Sequence, residues 1–362
     1  MDKIAGIWSR VQRSLFPFLQ ECLPALTARH RDLVLVLETL RIEEFVRPCW
    51  LHRVGRTPKD RKALARAFVA KALYNEPTTV SFLDRLGGDE PLRRICGWER
   101  RREIPSESTF SRAFAEFAET SLLDEVHKAR VKEYLGDDVV WHVSRDSTEI
   151  DAREKPLEKP EKLSRPKRKR GRPKTGDERP KPEPTRIERQ LNQDIAEALA
   201  DLPIACDVGT KIDSKGNKRH WVGYKLHMDT ADRGIPLSAV TTSASVHDSQ
   251  VAIPLARMTA QRVESWYDLM DAAYDAKLVR GFSESLGHVP IIPASARHGK
   301  VVPLEPDRDR RYNNRTTAER FNSVLKDNYG GRTVRVRGKP KVHTHLMFGV
   351  LVIFARALLG LA

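Results

Sequence analysis

Three acidic residues are candidates for a carboxylate cluster that could do chemistry. Asp146 ends the stretch Val139 to Asp146, whose alternation sets Val139, Trp141 and Val143 against His142, Ser144 and Asp146, as in a β-strand. Asp271 follows the short apolar strand Trp266 to Met270. Sites in open α/β sheets gather at the carboxyl ends of strands, where both aspartates are expected. Glu319 lies in RYNNRTTAERFNSVLKDNYGG, which reads as one helix with Ala318, Phe321, Val324 and Leu325 on its apolar side. At roughly 100° per residue, Tyr312, Arg315, Glu319 and Lys326 project within about 60° of one another, away from that side. Carboxylates crowded together repel, and a hard divalent cation such as Mg²⁺ relieves the repulsion. The same helix also fits an ordinary amphipathic segment with an i, i+4 Arg315 and Glu319 pair on its solvated face. Glu149, Asp151 and Asp275 are rival acids within a few residues.

The elements that must position these acids divide the 362 residues into two regions. Residues 1–136 read as all-α: KALARAFVAKALY from Lys62 to Tyr74, shorter helices over Val80 to Leu86 and Pro91 to Trp98, and a helix capped at Ser106 or Ser108. Such short helices suit a DNA-binding helix-turn-helix bundle, or a region that only packs or dimerises. Residues 137–362 read as α/β, with further strands at Trp221 to Met228, Gly234 to Thr242 and Val289 to Ile292, and a helix after Asp248. The apolar run from His345 to Ala362 is interrupted by Arg356 and reads as a buried helix, not a membrane span.

Net charge is +15, from 64 Lys and Arg against 49 Asp and Glu, which points to a polyanionic partner. The excess is local: Lys155 to Arg186 holds 13 basic and five acidic residues with seven prolines, so residues 155–186 are expected to be a disordered basic insertion. Within it Arg170, Gly171, Arg172 and Pro173 resemble an AT-hook core, whose arginines enter narrow minor grooves. A solvated basic linker and a nuclear-localisation run at Pro166 to Arg170 are the alternatives. A second basic stretch, RTVRVRGKPK with Arg335 and Arg337, would continue a DNA track beyond the Glu319 helix.

The four cysteines are isolated, which argues against a disulfide scaffold or zinc finger, and the first residues show no secretory signal. His247 and Asp248 could be metal ligands, but a helix cap at Asp248 or Ser249 is the simpler reading. Ser147 and Thr148 lack a surrounding G-x-S-x-G, which argues against a nucleophile elbow.

Tyr312, Arg315, Glu319 and Lys326 fall at the gaps of a Y-(2)-R-(3)-E-(6)-K pattern, and in this the sequence resembles bacterial insertion-sequence DDE transposases. RDSTEIDA, GYKLHMDTADRGIPL, TTSASVHDSQ, MDAAYDA and LRRICGWERRREIPSESTFSRAF are similar to the same family, so the resemblance spans roughly residues 55–355. It implies an RNase H-like catalytic domain with a mixed sheet, preceded by the all-α region. It implies Asp146, Asp271 and Glu319 as the catalytic, metal-binding triad for two Mg²⁺ ions, Mn²⁺ able to substitute, with no covalent protein nucleophile. Tyr312, Arg315 and Lys326 would hold the DNA end. The implied partners are terminal inverted repeats, target DNA and a second copy of the chain, with no membrane, in the bacterial cytoplasm at the nucleoid. A domesticated DNA-binding protein and a metal-dependent nuclease on the same fold are the other readings. Two departures stand out: Ala273 where relatives often carry Gly, and the long basic insertion.

Overall fold

The computed structural model describes residues 26–47, 59–158, 183–212, 216–295 and 303–361. Helices α1 (Ala28–Leu40), α2 (Arg61–Leu73), α3 (Thr79–Gly88), α4 (Glu90–Cys96), α5 (Glu107–Glu119) and α6 (Leu122–Leu135) precede the sheet. They begin where the sequence supplies caps. Thr78 accepts from the Ser81 amide ahead of α3, and Asp89 from the Leu92 amide ahead of α4.

Among the described residues seven strands follow: β1 (Val139–Ala152), β2 (Asp207–Ile212), β3 (Lys218–Ala231), β4 (Pro236–Ser243), β5 (Glu264–Met270), β6 (Val289–Ile291) and β7 (Thr333–Val334). The order is β2-β3-β1-β5-β6, with β4 on β3 and β7 on β1. β3 runs antiparallel to β1, β2 and β4, whereas β5 and β7 run parallel to β1 and β6 to β5. This mixed sheet with helices on both faces is the RNase H-like α/β architecture that the resemblance implies. Short helices α7 (Arg186–Gln190) and α8 (Ile195–Ala200), then α9 (Ala252–Ala260) and α10 (Lys277–Ser285), lie between strands. The chain closes with α11 (Pro306–Tyr312), α12 (Thr316–Asn328) and α13 (Lys339–Leu359).

Helix α13 explains the apolar run near the C-terminus. It is long and apolar enough to cross a membrane, but most of it is buried inside the protein. Phe348 stacks on Phe68 of α2 at 5.4 Å, and Phe354 meets His127 of α6 edge-on at 5.7 Å. At its first turn His343 bonds Thr241 of β4 at 2.8 Å and Asp124 of α6 at 2.9 Å, tying helices to sheet. One apolar core therefore runs from the N-terminal helices through α13 to the sheet.

The basic insertion is described only at its ends. Leu157 donates its amide to Cys206 O at 3.2 Å, and Thr185 caps α7. Arg170 and Arg172 lie outside the described residues. Of the cysteines, Cys96 and Cys206 are buried free thiols. Gly223 on β3 has φ +154°, and a Cβ there would meet Ile150 O at 2.1 Å, so only glycine allows β1 and β3 to approach.

Buried imidazoles set a pH dependence, among them His127, His227 and His345, the last depressed by burial to about 4. His127 Nε2 faces Pro236 O at 3.0 Å while its Nδ1 faces the Arg262 guanidinium at 3.2 Å, which leaves no acceptor for a second proton. Burial and Arg262 depress its pKa to about 3, and burial depresses that of His227 to about 4. The unfolded chain protonates these groups near the ordinary 6.5, the folded chain only lower, so their contribution is complete above 6.5 and is lost as pH falls. Asp146, raised to about 6 by burial, works the other way below that pH. From pH 7.5 to 5 each such histidine costs about 2 kcal/mol at most and Asp146 returns about 1 kcal/mol, at 1.36 kcal/mol per unit. The urea midpoint in chelator is expected to be lower at pH 5 than at pH 7.5; an equal or higher value would contradict this.

Candidate active site

Strand register brings the two aspartates together. The last parallel pair of β1 and β5 sets Arg145 opposite Met270, so one further step sets Asp146 beside Asp271. Neighbouring strands lie about 4.8 Å apart. Asp271 then caps the turn Ala272–Tyr274, its Oδ1 accepting from the Ala273 amide at 2.9 Å. Ala273 is not among the described non-glycine residues with positive φ, so its departure from glycine costs no backbone strain. Asp146, expected at a strand end, instead sits in the middle of β1, which runs on to Ala152. What ends beside Asp146 is its parallel neighbour. The edge of β1 left open there forms the floor of the site.

The helix expected through the Glu319 segment is broken into α11, a 3-10 turn over Asn313–Arg315, and α12. Thr316 and Thr317 cause the tightening, since their hydroxyls donate to Asn313 O at 3.0 Å and Asn314 O at 2.8 Å. Ala318, Phe321 and Leu325 are buried as expected, and α12 packs on β1 and β3. Asn322, which the apolar pattern did not single out, is buried on the same side and donates to Asp146 Oδ2 at 3.0 Å.

Arg315 stands among the three acids. Its Nη1 donates to Glu319 Oε1 at 2.8 Å, and its Nη2 donates to Asp146 Oδ1 at 3.2 Å and lies 3.8 Å from Asp271 Oδ2. The Tyr312 ring lies 6.0 Å from its guanidinium carbon. The acids therefore surround a side-chain cation. Among the described residues no three Asp, Glu, His or Cys stand close enough together to hold a metal ion.

The electrostatics follow from partial burial. Burial lifts the Asp146 carboxyl to about 6, opposed by Arg315 and reinforced by Asp271. Burial also raises Asp271 against the pull of Arg315. Burial acts to lower the Arg315 pKa, but Asp146, Tyr312, Asp271 and Glu319 outweigh it and hold the guanidinium charged. Three carboxylates against one guanidinium leave the cluster short of positive charge. Three hard oxygen donors in that condition suit Mg²⁺ or Mn²⁺.

Two of the rival acids, Glu149 and Asp275, have their carboxylates engaged elsewhere. Lys326, expected to point at DNA, pairs with Glu149 at 2.8 Å. Asp275 is held by Arg280 at 2.8 Å and by the Ser295 amide at 2.7 Å. Asp151 lies in the β1 ladder with β3 and β7. Asp248 is no helix cap: its Oδ1 accepts from Lys225 Nζ at 2.9 Å, and His247 precedes the 3-10 turn without a side-chain cap. Arg335 and Arg337 are exposed on the loop between β7 and α13.

Residues 142–355 match the family model described as Transposase DDE domain, more than half of the chain. This chain belongs to the DDE transposase family. A second model, Transposase domain (DUF772), matches residues 19–116, which include most of the described N-terminal helices of the transposase. No curated protein and no solved structure matches the chain. Membership makes this transposase an enzyme of DNA cutting and transfer, in a family that generally uses divalent metal ions.

Proposed function

We propose that this transposase binds the terminal inverted repeats of a mobile element, cleaves DNA at its ends and joins the freed 3'-hydroxyl to target DNA. Asp146, Asp271 and Glu319 are its catalytic metal ligands in this reading. The observation that supports it most is the register that sets Asp146 beside Asp271 while α12 brings Glu319 onto the same guanidinium. When bound, two Mg²⁺ ions would supply activation of a water or 3'-hydroxyl on one side of phosphorus and stabilise the leaving oxygen on the other.

The chain's own groups do the holding. Asp271 is fixed by the Ala273 amide and Asp146 by Asn322. Arg315 and Lys326 would contribute charge to the DNA end and Tyr312 a ring or hydroxyl contact. Arg335 and Arg337 would extend the phosphate track from an exposed loop. Arg170 and Arg172 would add minor-groove contacts. Residues 1–136 serve DNA binding or dimerisation and residues 137–362 catalysis, with the protein acting as a homodimer on nucleoid DNA, since two ends must be brought together.

The test incubates purified protein with Mg²⁺ and DNA carrying the inverted repeats that flank its gene. Nicked ends together with joined products support the reading. Binding without metal-dependent nicking would make the chain a DNA-binding relative, and nicking without joined product a nuclease.

A further inference from the structure

The position of Arg315 bears on how this site accepts metal. A single guanidinium touches a carboxylate from each of three separate elements: Asp146 on β1, Asp271 after β5 and Glu319 on α12. Its side chain is mostly enclosed, at 15% exposure, and its Nε is buried with no hydrogen-bond partner. The three acids face that group with the spacing a guanidinium imposes. In this arrangement no three described acidic, imidazole or thiol groups can close on one metal ion.

We propose that Arg315 and the divalent metal are mutually exclusive occupants of the acid cluster, so that metal can enter only as Arg315 leaves, and a DNA phosphate that captures Arg315 promotes metal binding. The inference rests on the proposed function, in which the three acids are the metal ligands.

Charge makes the exchange sensible. With Arg315 in place, three carboxylates and one guanidinium sum to −2. One divalent ion in its stead leaves −1, and two leave +1, which suits a site that must also receive phosphate. The displaced guanidinium would be left without carboxylate partners, and a phosphate offers it a planar, bidentate replacement. The two occupants need not compete for all of Asp146. Its Oδ1 faces Arg315, whereas its Oδ2 is held by Asn322, which is 8% exposed. Asn322 is thus a positioning residue: it keeps one oxygen in place while the other changes partner. Lys326 is held in the same way, on Glu149 at 2.8 Å. Both cations that the signature supplies are therefore engaged internally.

Thermodynamic linkage gives the consequence. If phosphate binding removes Arg315 from the acids, DNA raises metal affinity, and metal raises DNA affinity by the same factor. Couplings of this kind commonly lie at about 5- to 150-fold.

The test measures Mn²⁺ affinity by calorimetry or electron paramagnetic resonance, in Ca²⁺-free buffer, without DNA and with a short duplex. Wild-type protein is expected to bind Mn²⁺ about tenfold more tightly with duplex than without. Arg315→Gln, which removes the guanidinium and its charge but keeps a polar side chain, is expected to bind Mn²⁺ more tightly than wild type in the absence of DNA and to show little further gain on adding it. Equal or weaker Mn²⁺ binding by Arg315→Gln without DNA overturns the exchange. Circular dichroism with an unchanged urea midpoint shows that the variant is folded. Asn322→Leu should weaken Mn²⁺ binding while leaving the response to DNA in place; loss of that response would overturn the division of Asp146 between the two partners. Glu319→Gln separates the two levels of the argument. If it does not weaken Mn²⁺ binding, the ligand assignment itself fails; if it does and Arg315→Gln behaves as wild type, only the exchange fails.

Discussion

Glu319→Gln is expected to lower metal-dependent cleavage of end-containing DNA by at least about 10³-fold, with DNA affinity within a few-fold of wild type. The substitution removes one anionic oxygen ligand and keeps the side chain's size. Its energetic scale is that of a lost transition-state interaction of ~4 kcal/mol, at 1.36 kcal/mol per factor of ten. Glu319 is more than half exposed and holds no part of the core, so folding should survive. DNA binding should survive because the variant makes the site less negative. Cleavage assays beside gel-shift titrations separate the two. Near wild-type cleavage by Glu319→Gln would remove Glu319 from the triad.

Asp229→Ala is expected to destabilise the protein by about 3–5 kcal/mol. Asp229 on β3 sits opposite Arg145 on β1 and grips it with two bonds, Arg145 Nε to Oδ1 at 2.8 Å and Nη2 to Oδ2 at 2.7 Å. Both side chains are essentially inaccessible, and Thr259 of α9 adds a bond to Asp229 Oδ2 at 2.6 Å. Burial works to lower the Arg145 pKa, yet Asp229 and Asp268 hold the guanidinium firmly charged. Removing Asp229 leaves that charge sealed between sheet and α9 with Asp268 its remaining acid neighbour. Replacing both partners by apolar residues, as in Arg145→Met with Asp229→Leu, should recover part of the loss, because the unpaired guanidinium is gone while Asp268 keeps His288 and Ser283 as partners. Urea unfolding of the single and double variants measures it. A loss under 1 kcal/mol for Asp229→Ala would show that water reaches the pair. The pair is also one residue from Asp146, so it fixes the β1–β3 register at the site.

Much of this was legible in the sequence. The alternation at Val139 to Asp146 and Trp221 to Met228 located β1 and β3, and the four α2 to α5 helices fell within a few residues of their periodic stretches. The misses have specific causes. β2 was missed because DVGTKI is short and its alternating Val208 and Ile212 face solvent, and β7 is only two residues long. The end of β1 was misplaced because alternation marks a strand, whereas the site is made where the neighbouring strand stops. That α13 would join the N-terminal helices in one core with the sheet depends on chain folding, which local periodicity does not encode. At the site, spacing identified Glu319, Arg315 and Tyr312 as one constellation. It could not show that Arg315 turns inward to the acids, or that Lys326 turns to Glu149, since each depends on which side chain of β1 faces α12. Asn322 had a signal: a polar residue at i+3 from Glu319, on the side otherwise occupied by Phe321 and Leu325.

The most direct test of the central claim is a crystal structure of the protein with a cleavage-resistant DNA end and Mn²⁺, read by anomalous scattering. The account predicts two anomalous peaks, each at about 2.1 Å from carboxylate oxygens drawn from Asp146, Asp271 and Glu319, with the Arg315 guanidinium on a phosphate. A peak on other residues, or well-occupied Mn²⁺ alongside an Arg315 still bonded to all three acids, would contradict it.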